Sequence, residues 1–211
     1  MLPNQTAQTA ETQAQINPAA AVEMLKAGNE RFLNNQMLQR DLGAQIGATS
    51  KGQYPFATVI SCIDSRMPTE TIFDQGIGDI FNARIAGNFV NADILGSLEF
   101  ACKLAGSKVV VVMGHTSCGA VKGACDHASL GNLTQMLDKI APAVDAVETD
   151  AGEARDSTNL DFVNKVSAKN VELTIKRIRR QSPVLNEMEE DGEIAIIGAM
   201  YDVKSGTVTF Y

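Results

Sequence analysis

The run of five apolar residues at positions 109–113, four of them valine, most constrains the fold of this chain. Successive side chains of a strand point to opposite faces, so a continuous β-branched run implies that both faces are buried. Such strands occur mainly in parallel sheets that helices cover on both sides. The run therefore predicts an α/β domain.

Other segments alternate between strand-like and helix-like patterns, which supports this fold class. We predict a mostly parallel sheet flanked by helices, with an N-terminal helical arm and an antiparallel edge strand. The strands are predicted at residues 56–61, 80–85, 108–113, 193–198 and 207–210, the last one antiparallel. The helices are predicted at residues 17–35, 93–105, 133–147, 160–180 and 183–192, with a loop at residues 41–53.

The chain has 211 residues and a hydrophobic content of 45%, which fits one globular domain with a substantial core. We assign residues 17–211 to a single catalytic domain. Residues 1–16 are polar and contain no lysine or arginine, so they predict a disordered leader. They also lack the pattern of a secretory signal, which favours a cytoplasmic protein. A periplasmic location is the alternative, if a signal was removed before residue 1.

Charge and hydropathy exclude two kinds of partner. The net charge is −7 and the pI is about 4.9, so binding to nucleic acid is not expected. The basic residues 176–180 fall near the end of a predicted helix, where cations complement the helix dipole. No apolar stretch approaches the roughly 20 residues that span a bilayer, so no membrane insertion is expected.

Three sulfur and nitrogen donors stand at the ends of predicted strands. Cys62 follows the strand at 56–61, His115 follows the strand at 108–113, and Cys118 comes three residues later. The carboxyl ends of parallel strands meet at one edge of a sheet, so these side chains can share a crevice. Two thiolates and one imidazole point to zinc. The remaining candidates are not at ligand-like spacing: Cys102, Cys125 and His127.

Three protein ligands would leave a fourth metal position open, as catalytic zinc requires. A chain of this size does not need disulfides, so its four cysteines are better explained as ligands or nucleophiles. The alternative for any one of them is a small apolar residue in the core.

Asp64 and Arg66 lie directly after the first predicted strand, where a buried charge needs a partner. The two can form a structural salt bridge. Alternatively, Arg66 holds the Asp64 carboxylate at a distance from the metal. If Asp64 were released, it would become the fourth ligand and close the site. Both interpretations need the same ion pair, so both stay open at this point.

Five motifs resemble those of the β-class carbonic anhydrases, especially the plant-type members with an open site. They lie at residues 62–66, 73–79, 84–88, 114–120 and 198–202, and the similarity spans residues 18–211. The resemblance implies one zinc ion per chain, held by Cys62, His115 and Cys118, with Asp64 and Arg66 as the catalytic dyad. It also implies that zinc-bound hydroxide converts carbon dioxide reversibly to bicarbonate and a proton.

The same resemblance implies further substrate-binding groups. Gln53 matches a glutamine that hydrogen-bonds substrate, and the backbone N–H of Gly119 matches a donor to bicarbonate. Phe81 matches an apolar wall of the pocket, and Phe100 stands where plant-type members have tyrosine. The chain has no tryptophan, and Val59 stands where the bicarbonate-closed members carry one.

Several alternatives remain open beside this reading. The substrate could be a sulfur analogue, carbonyl sulfide or carbon disulfide, or the chain could be a non-catalytic zinc module that Asp64 closes. His127 is either a proton shuttle or an exposed loop residue. A homodimer or higher oligomer rests on the resemblance alone, with Gln53 and Phe81 reaching across the interface to the neighbouring zinc.

Overall fold

The computed structural model of the chain describes residues 6–211, and its centre is a five-stranded sheet. The strand order is β2-β1-β3-β4-β5. The first four strands are parallel, and β5 runs antiparallel to β4. The strands are β1 Ala57–Ser61, β2 Ile80–Arg84, β3 Val109–His115, β4 Ala195–Tyr201 and β5 Val208–Phe210. The predicted α/β fold with a mostly parallel sheet and an antiparallel edge strand is confirmed.

Helices surround this sheet. They are α1 Ala10–Ala14, α2 Pro18–Leu33, α3 Leu42–Thr49, α4 Thr69–Ile72, α5 Ala92–Glu99, α6 Gly119–Cys125, α7 Gly131–Leu137, α8 Ala141–Ala146, α9 Leu160–Gln181 and α10 Pro183–Glu190. A π-helical turn, Phe100–Leu104, continues α5. Within residues 6–211, no helix is both long and apolar enough to cross a membrane.

The central strand β3 is buried along its whole length, as its composition predicts. Val109 and Val111 pack in one core cluster together with Leu25 of α2. Val110 and Val112 point the other way and pack against α9. Each face of the strand thus meets a helical layer, which explains why residues 109–113 are all apolar.

Two segments predicted to be irregular are helical. Residues 42–49 form α3, where the Asp41 side chain accepts a hydrogen bond from the Ala44 N–H at 2.9 Å. The prediction of a disordered leader is wrong for residues 10–14, which form α1. The buried Gln13 amide donates to the carbonyl oxygens of Pro55 and Ala105, each at 2.8 Å, and this anchors the helix. Residues 1–5 of the predicted leader lie outside the described residues.

Other predicted boundaries shift for local reasons. The helix predicted at 133–147 is divided into α7 and α8, with a proline in the first turn of α8. The last parallel strand begins at Ala195 and extends to Tyr201, three residues beyond the predicted end. The helix α6 was not predicted, and it begins directly after Cys118.

The motif at residues 73–79 supports the fold. Asp74 is fully buried and accepts hydrogen bonds from Arg31 Nε and Arg40 Nη1, each at 2.5 Å. The Leu38 N–H also reaches its carboxylate, at 3.2 Å. This network ties α2 and the chain after it to the loop before β2. A buried carboxylate needs such paired and hydrogen-bonded partners.

We expect Gly28→Ala to destabilise the protein by about 3 kcal/mol, the upper range for overpacking. Gly28 lies inside α2, and a Cβ there would overlap the backbone carbonyl of Phe73. Backbone cannot rotate away as a side chain can, so α2 would have to shift. Gly96→Ala in α5 is the matched control, because a Cβ there meets nothing within 4 Å. It should stabilise the helix by about 0.5–1 kcal/mol. Urea unfolding measures both, and equal stability of the two variants would contradict the packing argument.

Candidate metal centre

The three predicted ligands meet at one edge of the sheet. Cys62 directly follows β1, His115 is the last residue of β3, and β1 and β3 are parallel neighbours. Cys118 comes three residues later, at the start of α6. The ligand atoms of these three residues all lie within 4.8 Å of one another, and the two sulfur atoms are 3.9 Å apart. All three side chains are buried.

The orientation of His115 suits a metal ligand. Its Nδ1 lies 3.0 Å from the carbonyl oxygen of Thr116, which can only accept a hydrogen bond. Nδ1 therefore carries the proton, and Nε2 presents a lone pair. Nε2 is buried and has no hydrogen-bond partner among the described residues. An unpaired buried acceptor is costly, and coordination to a cation would satisfy it.

The electrostatics of the two cysteines fit the same use. A hydrogen bond from Cys118 lowers the pKa of the Cys62 thiol to about 4, against the opposing effect of burial, and the backbone N–H groups of Gly87 and Asp64 add smaller contributions. Donation to Cys62, together with burial, raises the pKa of Cys118. The pair therefore holds one proton between two sulfur atoms. A divalent cation in its place would stabilise both thiolates.

Asp64 lies beside this cluster and is held by Arg66. The Arg66 guanidinium donates from Nε to Oδ1 at 2.9 Å and from Nη2 to Oδ2 at 2.7 Å. The Arg66 backbone N–H adds a third bond, at 2.9 Å. These hydrogen bonds keep the pKa of Asp64 well below its usual range. The predicted ion pair of Asp64 with Arg66 is therefore present. It lies next to the cluster, because Asp64 Oδ2 is 3.9 Å from His115 Nε2.

Two residues that were assigned no role in the sequence analysis shape the Cys62 loop. Arg84 at the end of β2 donates to the carbonyl oxygens of Cys62 and Asp64, at 2.9 and 2.6 Å. The Gly87 N–H points to Cys62 Sγ at 3.5 Å. Gly87 has a φ of +80°, and a Cβ there would run into the Ile140 side chain. Both residues belong to the motif at 84–88, so that motif was the available signal.

A cleft of about 370 Å³ opens beside the cluster. Cys62, Asp64 and Gly119 form its polar end, while Leu133 and Met136 contribute to a mostly apolar wall. Small apolar molecules can therefore reach the cluster without displacing polar groups.

Three predicted substrate-binding residues lie away from this cleft within one chain. Gln53 is exposed in the segment before β1. Phe81 on β2 and Phe100 contact each other edge to face, with ring centroids 6.2 Å apart. They line a separate pocket of about 120 Å³. His127 is also exposed, in the loop after α6 with a φ of +51°, and it lines another pocket with Thr134 and Asp138.

Known proteins are similar to this chain in sequence and in fold. The sequence model of the carbonic anhydrase family matches residues 57–208. Carbonic anhydrase 2 of Mycobacterium tuberculosis is 34% identical over 197 residues, which cover 90% of this chain and 91% of that protein. The chain belongs to the β-carbonic anhydrase family. The prediction of a carbonic anhydrase is therefore confirmed.

Other members of the family show similar agreement. The carbonic anhydrase of Mycolicibacterium smegmatis is 34% identical over 198 residues, covering 91% of this chain and 92% of that protein. The crystal structure of the β-carbonic anhydrase CafA of Aspergillus fumigatus has a TM-score of 0.66 and 28% identity, covering 92% of this chain and 89% of that one. A structure among two tetrameric β-carbonic anhydrases of Sordaria macrospora has a TM-score of 0.67 and 23% identity, covering 91% and 94%. The plant-type subgroup and the individual site residues stay predictions.

Proposed function

We propose that this β-carbonic anhydrase converts carbon dioxide reversibly to bicarbonate and a proton at one zinc ion per chain, held by Cys62, His115 and Cys118. The observation that carries the proposal is the buried cluster of three soft and borderline donors, in which the Nε2 of His115 lies beside two sulfur atoms and finds no hydrogen-bond partner among residues 6–211. Two cysteines and one histidine are a known ligand set of catalytic zinc.

Zinc bound there would supply a water whose pKa is lowered to about 7, so a nucleophile is available near neutral pH. Residues of the chain orient the reacting water and bind the substrate. Asp64 faces the cleft with an ionised carboxylate that can accept a hydrogen bond from the reacting water and so orient it. The Gly119 N–H can stabilise negative charge that develops on the substrate oxygens. The wall of Leu133 and Met136 keeps the reacting carbon dioxide in an apolar environment.

The open form of the site is part of this proposal. Both Asp64 oxygens are occupied by Arg66, at 2.9 and 2.7 Å, so the carboxylate is held by the guanidinium. Closing the site would cost both of these charge-assisted bonds. Gln53 and the absence of tryptophan agree with the open, plant-type form.

The proposal is tested with zinc-loaded protein in a stopped-flow assay that compares carbon dioxide hydration with sulfide release from carbonyl sulfide. We expect rapid hydration that small anions inhibit. Faster sulfide release than hydration would assign the site to the sulfur analogue. No turnover of either substrate by the zinc-loaded protein would refute an enzymatic role.

We also propose that the active unit is a homodimer or a larger homo-oligomer. Within residues 6–211, the strand β2 is a sheet edge, because β1 is the single strand that pairs with it. Large apolar side chains are exposed nearby on the same part of the chain: Ile77, Phe100 and Leu104, the last of them 77% exposed. Unpaired edges and exposed apolar patches favour association. The tetrameric Sordaria macrospora relatives agree with an assembly of this kind.

In such an assembly, Gln53 of one subunit would serve the metal site of another, and mixing two inactive variants tests this. We expect Gln53→Leu and His115→Ala to be weakly active or inactive alone. Their co-expressed mixture should regain activity, because one site in each mixed pair combines an intact metal centre with an intact glutamine. Hydration is measured on mixed oligomers that are purified through two different tags.

The matched control is a mixture of His115→Ala with Cys62→Ala, in which no subunit has a complete metal centre and no activity should return. Inactive mixed oligomers of the first pair would place Gln53 at the metal site of its own subunit. Full activity of Gln53→Leu alone would place Gln53 outside catalysis.

A further inference from the structure

The long helix α9 carries a polar face that contacts the backbone of the His115–Cys118 segment and that of Gly87, whose N–H points to Cys62 Sγ. This face consists of Asn164, Ser167 and Asn170, spaced by three residues, and we call it the α9 polar face. Residues three apart lie on one side of a helix. At 1.5 Å per residue, the face spans about 9 Å along the helix. The sequence analysis assigned none of these residues a role.

Two side chains of the face bond the backbone between His115 and Cys118. The Asn164 side-chain oxygen accepts a hydrogen bond at 2.9 Å from the N–H of Ser117, between His115 and Cys118. Ser167 donates to the carbonyl oxygen of His115, also at 2.9 Å.

Asn170, the third residue of the face, contacts the loop after β2. It donates from Nδ2 to the carbonyl oxygen of Gly87 at 2.7 Å. The N–H of the same Gly87 points to Cys62 Sγ at 3.5 Å. Asn170 thus reaches the third predicted ligand through one intervening residue.

The backbone that Asn164 holds has a strained conformation at Ser117. Ser117 has a φ of +55°, in the left-handed region that is unfavourable for a non-glycine residue. That turn places Cys118 back towards His115, so a bond that stabilises it also sets the spacing of two ligands. Such conformations persist only when the surroundings hold them.

The polar face ends where the contacts with the ligand segments end. One turn further along α9, Thr174 is just as buried, yet its hydroxyl has no hydrogen-bond partner in the described part of the chain. The apolar residues of α9 on either side, Val163, Val166 and Val171, pack in the core. General core packing therefore does not explain why the polar residues fall at 164, 167 and 170.

We infer that the α9 polar face is the positioning element of the metal centre: it fixes the three ligand segments relative to one another before the metal binds. The inference rests on the zinc site proposed above. Positioning groups of this kind usually contribute about 10- to 100-fold to metal affinity.

The two asparagines allow a crossed test, because the same substitution should have opposite effects. At position 164 the side chain acts as an acceptor, so Asn164→Asp keeps the bond to Ser117 and Asn164→Leu loses it. At position 170 the side chain acts as a donor, so Asn170→Asp loses the bond to Gly87. Asn170→Ala removes the same donor without burying a charge. The control is Thr174→Val, which alters a buried hydroxyl of the same helix that touches no ligand segment.

Zinc affinity is measured by competition with a chelator, and folding by thermal unfolding of the metal-free proteins. We expect Asn164→Leu, Asn170→Asp and Asn170→Ala to bind zinc about 10-fold more weakly or worse. Asn164→Asp and Thr174→Val should stay within about twofold of the original protein. In the cobalt-loaded protein, Asn170→Ala should shift the sulfur-to-cobalt charge-transfer band to lower energy, because Gly87 is no longer held and its N–H bond to Cys62 Sγ weakens. Asn164→Leu should leave the position of that band unchanged.

Two outcomes would overturn the inference: equal zinc affinity for Asn164→Asp and Asn164→Leu, or an unchanged affinity and cobalt spectrum for folded Asn170→Ala. Failure of the proposed function looks different, because the original protein itself would then bind less than one zinc per chain or would turn over neither substrate when it is loaded with zinc.

Discussion

Cys62→Ala and His115→Ala are each expected to abolish zinc binding and to reduce carbon dioxide hydration to the uncatalysed rate. Each change leaves two protein ligands in a buried cluster that needs three. Removing His115 also leaves a cavity beside the two sulfur atoms, which are hydrogen-bonded to each other when no metal is bound. Zinc content by elemental analysis and hydration by stopped flow measure the two effects on the same sample.

Cys102→Ala is the matched control for both variants. Cys102 is an equally buried cysteine, but it lies in the π-helical turn, and burial raises its pKa to about 12. Its removal should leave zinc content and activity unchanged. Full zinc content in Cys62→Ala would mean that the metal is held elsewhere.

Asp64→Asn is expected to separate catalysis from metal binding. The variant should keep one zinc per chain, because Asp64 is not among the three clustered ligands. Its hydration rate should fall by about 10²-fold or more, the usual effect of losing a general acid–base group. The neutral amide keeps the size of the side chain but replaces one acceptor oxygen with a donor. Zinc content and kcat/KM are measured together.

An exposed carboxylate on α8 provides the comparison for this variant. Asp145→Asn makes the same chemical change away from the cleft and should leave kcat/KM unchanged. If Asp64→Asn were as active as Asp145→Asn, Asp64 would be only a structural partner of Arg66, which is the first of the two interpretations that the sequence left open.

Much of the fold was predictable because strong local patterns agreed with it. The valine run predicted β3, because only a strand that is covered on both sides can bury it. The clustering of the three predicted ligands was also predictable, because Cys62 and His115 lie where neighbouring parallel strands end. The pairing of Asp64 with Arg66 needed only their proximity in sequence.

The remaining features depend on contacts between distant residues, which no local pattern encodes. The helix α1 is held by one buried glutamine whose acceptors lie 42 and 92 residues away. The glycines at 43 and 47 suggested a loop, whereas the Asp41 cap and the buried Gln45 stabilise α3. The α9 polar face reads as an ordinary amphipathic pattern until its partners at Gly87, His115 and Ser117 are known. Residues that act across a subunit interface, as proposed for Gln53, cannot be located from one chain.

The zinc coordination at two pH values, near neutral and mildly alkaline, tests the central claim most directly. A crystal structure of the zinc-loaded protein is predicted to show Cys62, His115 and Cys118 as the only protein ligands at both pH values. Asp64 should remain paired with Arg66, as it is here at 2.9 and 2.7 Å. Asp64 bound to zinc as a fourth protein ligand at both pH values would contradict the account and favour a closed zinc site.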